Sequence, residues 1–155
     1  MSDARFEDAR GGALRLRAFE AGDMQVISSL VQDGVVPITE MTYSRGQRRF
    51  GMLLNRLRRE DARIGDGDVE RVQSVLAVED VTAVRTQGID RSDRDLVLQV
   101  LSMGIEPGAD GGGRIIVTLA GDGAIALEVE ALEVTLRDVT RPYRAPSGKL
   151  PDHGA

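Results

Sequence analysis

RRFGMLLNRLRRED, residues 48–61, is an apolar run flanked at both ends by arginines. In an extended chain, successive side chains point to opposite faces of the sheet. One face of this run holds Phe50, Met52 and Leu54, and the other holds Gly51, Leu53 and Leu57. Because both faces are apolar at the centre, the pattern predicts a strand whose middle is buried on both sides.

The arginines of this stretch form two groups, one at each end of the predicted strand. At about 3.3 Å per residue, Arg48 and Arg58 lie roughly 33 Å apart, which argues against one strip for a polyanion. Residues 45–63 hold seven arginines and two acids, a local net charge of +5, and the remainder of the chain carries −10. We therefore expect Arg56, Arg58 and Arg59 to face acids of the same protein, within the chain or across a dimer. The candidate acids are Glu128, Glu130, Glu133 and Asp138.

The composition indicates a globular cytoplasmic protein without a cofactor. The 155 residues are 41% hydrophobic and 29% charged, enough for one domain with its own core. With no cysteine and a net charge of −5, disulfides and thiolate metal sites are excluded, and general affinity for nucleic acid or anionic membranes is disfavoured. Aromatic residues for base stacking make up only 3%. No run of about 18 apolar residues predicts a membrane span.

Composition also divides the chain into a body and two ends. Residues 1–12 read as a flexible leader, residues 13–144 as a single globular domain, and residues 145–155 as a flexible tail with two prolines and no periodicity.

The order of patterns predicts an α+β fold that is mainly antiparallel β. A strand over 13–19 is followed by a helix, with Asp23 as N-cap and Gly34 just beyond its C-terminus. The whole chain shows about seven short strands, without the helix alternation of a parallel sheet. Residues 131–139 fit a short C-terminal helix, which we favour, or a strand. A small barrel or sandwich closed by a helix, as in pleckstrin-homology-like folds, is the expected architecture.

The same patterns predict which side chains form the core. The predicted core residues are Leu14, Leu16, Val26, Ile27, Leu30, Met52, Leu54, Val75, Val84, Leu98, Ile116, Leu119, Ile125 and Leu127. A strand register shifted by one residue would expose them.

Four motifs in order give the chain a family resemblance. They are RRFGMLLNRLR (48–58), AVRTQGIDRSDRD (83–95), GIEPG (104–108) and GDGAIALEVEALEVTLRDV (121–139). Together they resemble a family of small alphaproteobacterial proteins, a domain of unknown function (DUF2948-like), over about residues 14–139. The resemblance implies a single-domain cytoplasmic protein and brings no activity, cofactor or catalytic residue with it.

The sequence offers few residues suited to catalysis or metal binding. His153 is the single histidine and lies in the predicted tail, so neither a zinc set nor a base-dependent serine nucleophile is expected. The glycine-rich segment GADGGGR (108–114) precedes a strand instead of opening a helix, which argues against a phosphate loop. Glu128 and Glu130 share a face in the ordinary solvated pattern of a strand.

The loop RTQGIDRSDRD (85–95) is the most suggestive polar cluster. Arg85, Asp90 and Arg91 are candidate ligand or partner contacts around Gly88, which permits a positive φ. Arg56, Arg58 and Arg59 are candidate contacts of the same kind. The loop can equally be a solvated turn whose mixed charges cancel.

These observations favour a non-enzymatic binding or scaffolding domain, as a homo-oligomer or with another protein partner, and disfavour nucleic acid and membranes. The alternative is a small-ligand-binding protein or enzyme that uses the 85–95 loop with acids of the 124–138 region. A pocket that converges on Arg85 and Asp90 would favour the alternative, and a flat apolar edge would favour association.

The predicted tail allows a direct test. Deletion of residues 145–155 should leave the melting temperature nearly unchanged, because a segment without periodic apolar residues adds little to a core. Thermal unfolding measures this, and a large drop would show that the tail packs on the body and would restore His153 as a candidate site residue.

Overall fold

A computed structural model describes residues 13–58, 70–140 and 143–144. These residues form one α-helix and eleven strands, together with single 3-10 turns at Ile38–Glu40 and Ala109–Gly111. In chain order the elements are β1 Arg15–Ala18, α1 Ala21–Val31, β2 Val35–Pro37, β3 Met41–Ser44, β4 Arg49–Leu57, β5 Glu70–Val78, β6 Val81–Gln87, β7 Val97–Pro107, β8 Gly113–Leu119, β9 Ala124–Val129, β10 Val134–Asp138 and β11 Tyr143–Arg144. The α+β, mainly antiparallel class with one early helix is confirmed. The predicted leader 1–12 and tail 145–155 lie outside the described residues.

The strand predicted from the arginine-flanked run is β4, a long inner strand of the sheet. It pairs antiparallel with β5 along its whole length and with β3 and β2 on its other edge. Phe50, Met52 and Leu54 are buried, while Gly51 and Leu53 on the other face are half-buried. The strand prediction is confirmed, with one face fully covered and the other partly covered.

The strands form one antiparallel sheet that does not close into a barrel. The hydrogen-bonded order is β1-β10-β5-β4-β2-β7-β8-β9-β6, with β3 added on β4 and β11 on β5. The strand β7 joins the part of the sheet that runs from β1 to β2 to the part that runs from β8 to β6. Its first residues pair with β2, and the rest pairs with β8 beyond a register shift between Val100 and Ser102. Because β1 and β6 end the path unpaired with each other, the barrel alternative is wrong.

Both parts of the sheet contribute to one core, which the helix covers. Leu54 and Leu76 of one part belong to the same buried cluster as Ile115 and Leu127 of the other. The helix α1 packs chiefly on β7 and buries one side in this cluster. Its buried side chains are Met24, Ile27, Leu30 and Val31.

The ends of α1 differ from the predicted ones. The helix begins at Ala21, so Asp23 lies within its first turn, and its carboxylate accepts a hydrogen bond from the Phe19 amide at 3.3 Å. After the helix it is Asp33, at φ 68°, that adopts the left-handed conformation. Gly34 is needed for space, because a Cβ there would lie 2.7 Å from Leu54 Cδ1.

The preferred reading of residues 131–139 as a helix is wrong. Val134–Asp138 is strand β10, paired with β1 on one edge and β5 on the other. Val134 and Leu136 are fully buried, and the residues between and after them are more exposed, which is a period of two. The late helix of a pleckstrin-homology-like arrangement is therefore a strand in this chain.

The predicted core is largely confirmed. Ten of the fourteen residues are buried, and Val26, Val75, Val84 and Ile116 are half-buried. Val75 and Ile116 lie on the outer face of their strands, where β-branched residues pack well against neighbours. In both strands, neighbouring residues are all apolar, so that apolar and polar residues do not alternate. The sequence therefore could not show which face points inward.

A buried charged network joins the N-terminal and central strands. The Arg56 guanidinium donates to Asp138 Oδ1 and to Ser74 Oγ, each at 2.9 Å, and the Ser74 hydroxyl donates to the same carboxylate at 2.7 Å. The second carboxylate oxygen accepts from the Leu14 amide at 2.8 Å. The side chains of Arg56 and Asp138 are both 0% exposed. The network therefore links β4, β5 and β10 to the start of β1.

We expect Asp138→Ala to lower the free energy of unfolding by about 3 kcal/mol, because removal of one partner strips a buried charge of a main counter-charge. Glu133→Ala, which breaks the exposed pair with Arg17 at 3.7 Å, should cost at most about 1 kcal/mol. Urea denaturation compares the two variants. Similar losses would show that the buried pair does not hold these strands together.

Candidate functional site

An open groove of about 1060 Å³ lies between the β3–β4 hairpin and β6 with its following loop. Met41, Thr42 and Tyr43 of β3 line one side. Thr82–Val84 and Thr86 of β6 line the other, together with residues of the 89–94 loop. The groove therefore lies where two sequence-distant edges of the sheet approach each other.

The base of the groove is apolar and belongs to the core. Phe50 and Leu98 are buried, and Met41, Val84 and Ile89 pack against the core cluster from the groove side. The two sides are joined by the Tyr43 hydroxyl, which donates to the Val81 carbonyl at 2.7 Å. A neighbouring backbone bond of 2.8 Å runs from the Val81 amide to the Arg48 carbonyl. These contacts hold the hairpin against the first residue of β6.

Three exposed arginines line the groove: Arg45 from the hairpin turn, and Arg91 and Arg94 from the loop. Among the described residues no acid lines the groove with them. Within that same part of the chain, none of the three side chains makes an ion pair or a hydrogen bond. The groove thus combines an apolar base with three arginines that make no ion pair among the described residues.

The loop that carries two of these arginines is held by its own acids. The Asp90 carboxylate accepts from the Ser92 hydroxyl at 2.6 Å and from its amide at 3.1 Å, and Asp93 accepts from the Asp95 amide at 3.1 Å. The Ser92 hydroxyl, and then the Ser92 amide, lower the pKa of Asp90 below its ordinary value of 3.8. Two of the three loop acids therefore act on the loop backbone and not on the arginines.

Gly88 fixes where the loop leaves β6. Its φ is +69°, and a Cβ at this position would lie 3.0 Å from the Asp122 carbonyl oxygen and 3.2 Å from the Gly123 Cα. Both the left-handed conformation and the close packing on the β8–β9 turn require glycine. Position 88 therefore uses the positive φ that glycine permits.

The structure separates the residues predicted as contacts. Arg91 lies in the groove, Asp90 shapes the loop beside it, and Arg85 is exposed on β6 outside the groove lining. Arg56 is in the protein interior, where it faces Asp138 as predicted. Arg58 is largely buried and pairs with Glu70 at 3.0 Å. Arg59 lies outside the described residues.

The acids of the 124–138 region are not brought to the 85–95 loop. Each is engaged by an arginine from another element. Glu128 pairs with Arg114 at 2.6 Å, Glu130 with Arg48, Glu133 with Arg17, and Asp138 with Arg56. The hydrogen bond from Arg114 to Glu128 raises the pKa of that arginine above its ordinary value. The loop and these acids therefore do not form a shared site.

Sequence reasoning missed Arg45 and the apolar base of the groove. Arg45 lies in a four-residue turn whose composition indicates only a hairpin. No short-range pattern places it beside Arg91 and Arg94, because that proximity depends on how β3 and β6 are arranged in the sheet.

No group of three His, Cys, Asp or Glu side chains in residues 13–58 and 70–140 is arranged to hold a metal ion. His153 lies outside the described residues. In the described part of the chain, the helical segments fall short of the length and apolar character needed to cross a bilayer.

A family model described as "Protein of unknown function (DUF2948)" matches residues 14–153. The chain belongs to this family. The DUF2948 match includes the four motifs of the sequence resemblance and extends beyond residue 139. No curated protein and no solved structure matches the chain. Membership in the DUF2948 family therefore brings no activity with it, and any function has to be argued from the groove.

The Asp90 turn makes a prediction about pH. Ser92→Ala should raise the pKa of Asp90 toward 3.8, because the hydroxyl that stabilises the carboxylate is removed. With its pKa depressed in the folded state, Asp90 stabilises the loop above pH 3.8, and this is lost as pH falls through the folded value. Carboxyl titration by NMR measures the change. Thr42→Ala, on the β3 side of the groove, is the control and should leave the Asp90 titration unchanged.

Proposed function

We propose that this protein is a non-enzymatic binding domain that takes an anionic partner into the groove between β3 and β6. The observation that supports this most directly is the set Arg45, Arg91 and Arg94, three unpaired guanidinium groups around an apolar base. Elsewhere among the described residues, arginines such as Arg49 and Arg114 pair with acids of the chain. An external anion would complete the same chemistry for the groove arginines.

The arginines of the groove favour negative groups of a partner, and the apolar base favours apolar groups of the same partner. Arginine binds carboxylates and phosphates through paired N–H groups in a planar fork. Burial of apolar surface against Phe50, Leu98 and Ile89 would add affinity in proportion to the area covered. A partner with negative groups next to apolar ones therefore fits better than a uniformly charged one.

The composition of the groove favours binding over catalysis. General acid–base chemistry needs a group that titrates near the working pH, and a serine or threonine nucleophile needs an adjacent base. The described groove residues include hydroxyls such as Thr42 and Ser92, but no carboxylate, histidine or lysine. The absence of cysteine from the chain suits a reducing cytoplasm, where we place this activity.

The proposal is tested with 8-anilinonaphthalene-1-sulfonate, a fluorescent probe that joins an aromatic body to one negative charge. We expect the wild-type protein to bind this probe and the double variant Arg91→Ala/Arg94→Ala to bind it about tenfold more weakly, a loss of about 1.4 kcal/mol. Added salt should reduce wild-type binding, because the arginines are exposed. Fluorescence titration measures all three quantities.

Arg85→Ala/Arg15→Ala is the matched control, since it removes the same charge from exposed arginines outside the groove. It should bind the probe like the wild type. Equal weakening by the control and the groove variant would mean that the probe responds to overall charge, which contradicts the proposal. Circular dichroism of each variant confirms that the fold is retained.

A further inference from the structure

We infer that the partner is an extended acidic peptide segment that adds to the sheet as a strand beside β6. This rests on the proposed function and gives the anionic partner a chemical class and a binding mode. In strand addition, main-chain hydrogen bonds supply affinity, and side chains that alternate between the two faces supply specificity. Both requirements are met by the surroundings of β6.

The first observation is that β6 has an open edge along the groove beyond Val81, whose amide and carbonyl are bonded to Arg48 and Tyr43. Among the described strands it pairs with β9 alone and ends the hydrogen-bonded order of the sheet. A register shift is confined to Val81/Ala83, and the pairing from Ala83 to Gln87 is regular. Regular pairing on one edge leaves the alternate amide and carbonyl groups of the other edge directed away from β9.

The edge strand at the other end of the sheet, β1, has features that prevent strand addition. The strand β1 is only four residues long, and Arg15 and Arg17 are its outward side chains. Short length and charge are common ways to prevent strand addition. In contrast, β6 has seven residues, contains Val81, Thr82, Val84 and Thr86 and carries a single charge. Its β-branched composition favours strand pairing.

The second observation is that the groove offers each face of such a peptide a suitable surface. The residues of β6 that line the groove run along one side of it, above the apolar base of Phe50 and Leu98. Alternate side chains of an added strand would point toward that base and away from it. Arg45 on one side and Arg91 and Arg94 on the other would then meet acidic side chains.

The charges also favour an acidic partner over a second copy of this chain. Two copies paired through β6 would bring Arg85, Arg91 and Arg94 near their own counterparts, and like charges across a strand pair are destabilising. The chain itself has a net charge of −5, whereas the described lining of the groove holds three arginines and no acid. A short acidic segment fits this local charge.

The test uses a fluorescein-labelled peptide of seven alternating valine and glutamate residues, with its lysine counterpart as the charge control. We expect the glutamate peptide to raise fluorescence anisotropy on binding, and Arg91→Ala/Arg94→Ala to weaken it about tenfold. Arg15→Ala/Arg137→Ala, which removes the same charge from exposed arginines of β1 and β10, should leave binding unchanged. Equal binding of the lysine peptide would overturn the inference.

Strand addition itself is tested by N-methylation of the peptide backbone. Methyl groups on the amides of one peptide edge should weaken binding about tenfold or more, because those N–H groups donate to β6. Methyl groups on the other edge should have little effect. Strand addition is overturned if the two N-methylated peptides bind with the same affinity. This holds whether both bind like the unmethylated peptide or neither binds.

Amide hydrogen exchange locates the added strand. Bound peptide should slow exchange in residues 82–87, while exchange in β1, at the opposite end of the sheet, should not change. Slower exchange at β1 on peptide binding would overturn the inference. So would the finding that the protein is a dimer and that the peptide dissociates it.

If 8-anilinonaphthalene-1-sulfonate binds through the groove arginines and the peptide does not, the inference fails and the proposed function stands. If neither binds, both fail.

Discussion

The ion pair between Arg56 and Asp138 is the interaction on which the arrangement of the strands depends. A buried guanidinium is tolerated only where a carboxylate and further hydrogen bonds replace the lost water, and here Asp138 and Ser74 contribute to this. The three residues come from β4, β5 and β10. A one-residue slip of any of these strands would turn its member of the network to the other face. The network therefore selects one register for all three strands.

That register has consequences at the far end of β4, where the groove begins. With Arg56 inward, alternation along the strand turns Phe50 inward as well, into the apolar base beneath the groove. The same strand directs the hairpin turn toward β6, where the Arg48 carbonyl accepts from the Val81 amide. The interior charge network and the candidate site are thus connected through a single strand. Paired strands thus hold the apolar base of the groove, while its three arginines lie in the hairpin turn and in the 89–94 loop.

Local periodicity predicted much of the fold, and its limits lie in particular residues. The alternation of Phe50, Met52 and Leu54 predicted β4, and its extension by one step places Arg56 inside. Charge made Arg56 look like part of a surface cluster, although Ser74 and Asp138 occupy inward positions of their own strands. The groove was beyond such reasoning. Arg45 and Arg94 come together only through the order of strands in the sheet, which no short pattern encodes.

Two sets of arginines in the described chain differ in what they contact. Those next to acids of the protein, such as Arg49 with Glu79 and Arg114 with Glu128, connect neighbouring strands, and each exposed pair adds at most about 1 kcal/mol. Those in the groove meet no acid of the described chain. The whole protein carries a net charge of −5, which opposes general affinity for a long polyanion. A short acidic segment can meet the three groove arginines within the groove itself, and this is the reason why we propose an acidic peptide as the partner and not a nucleic acid.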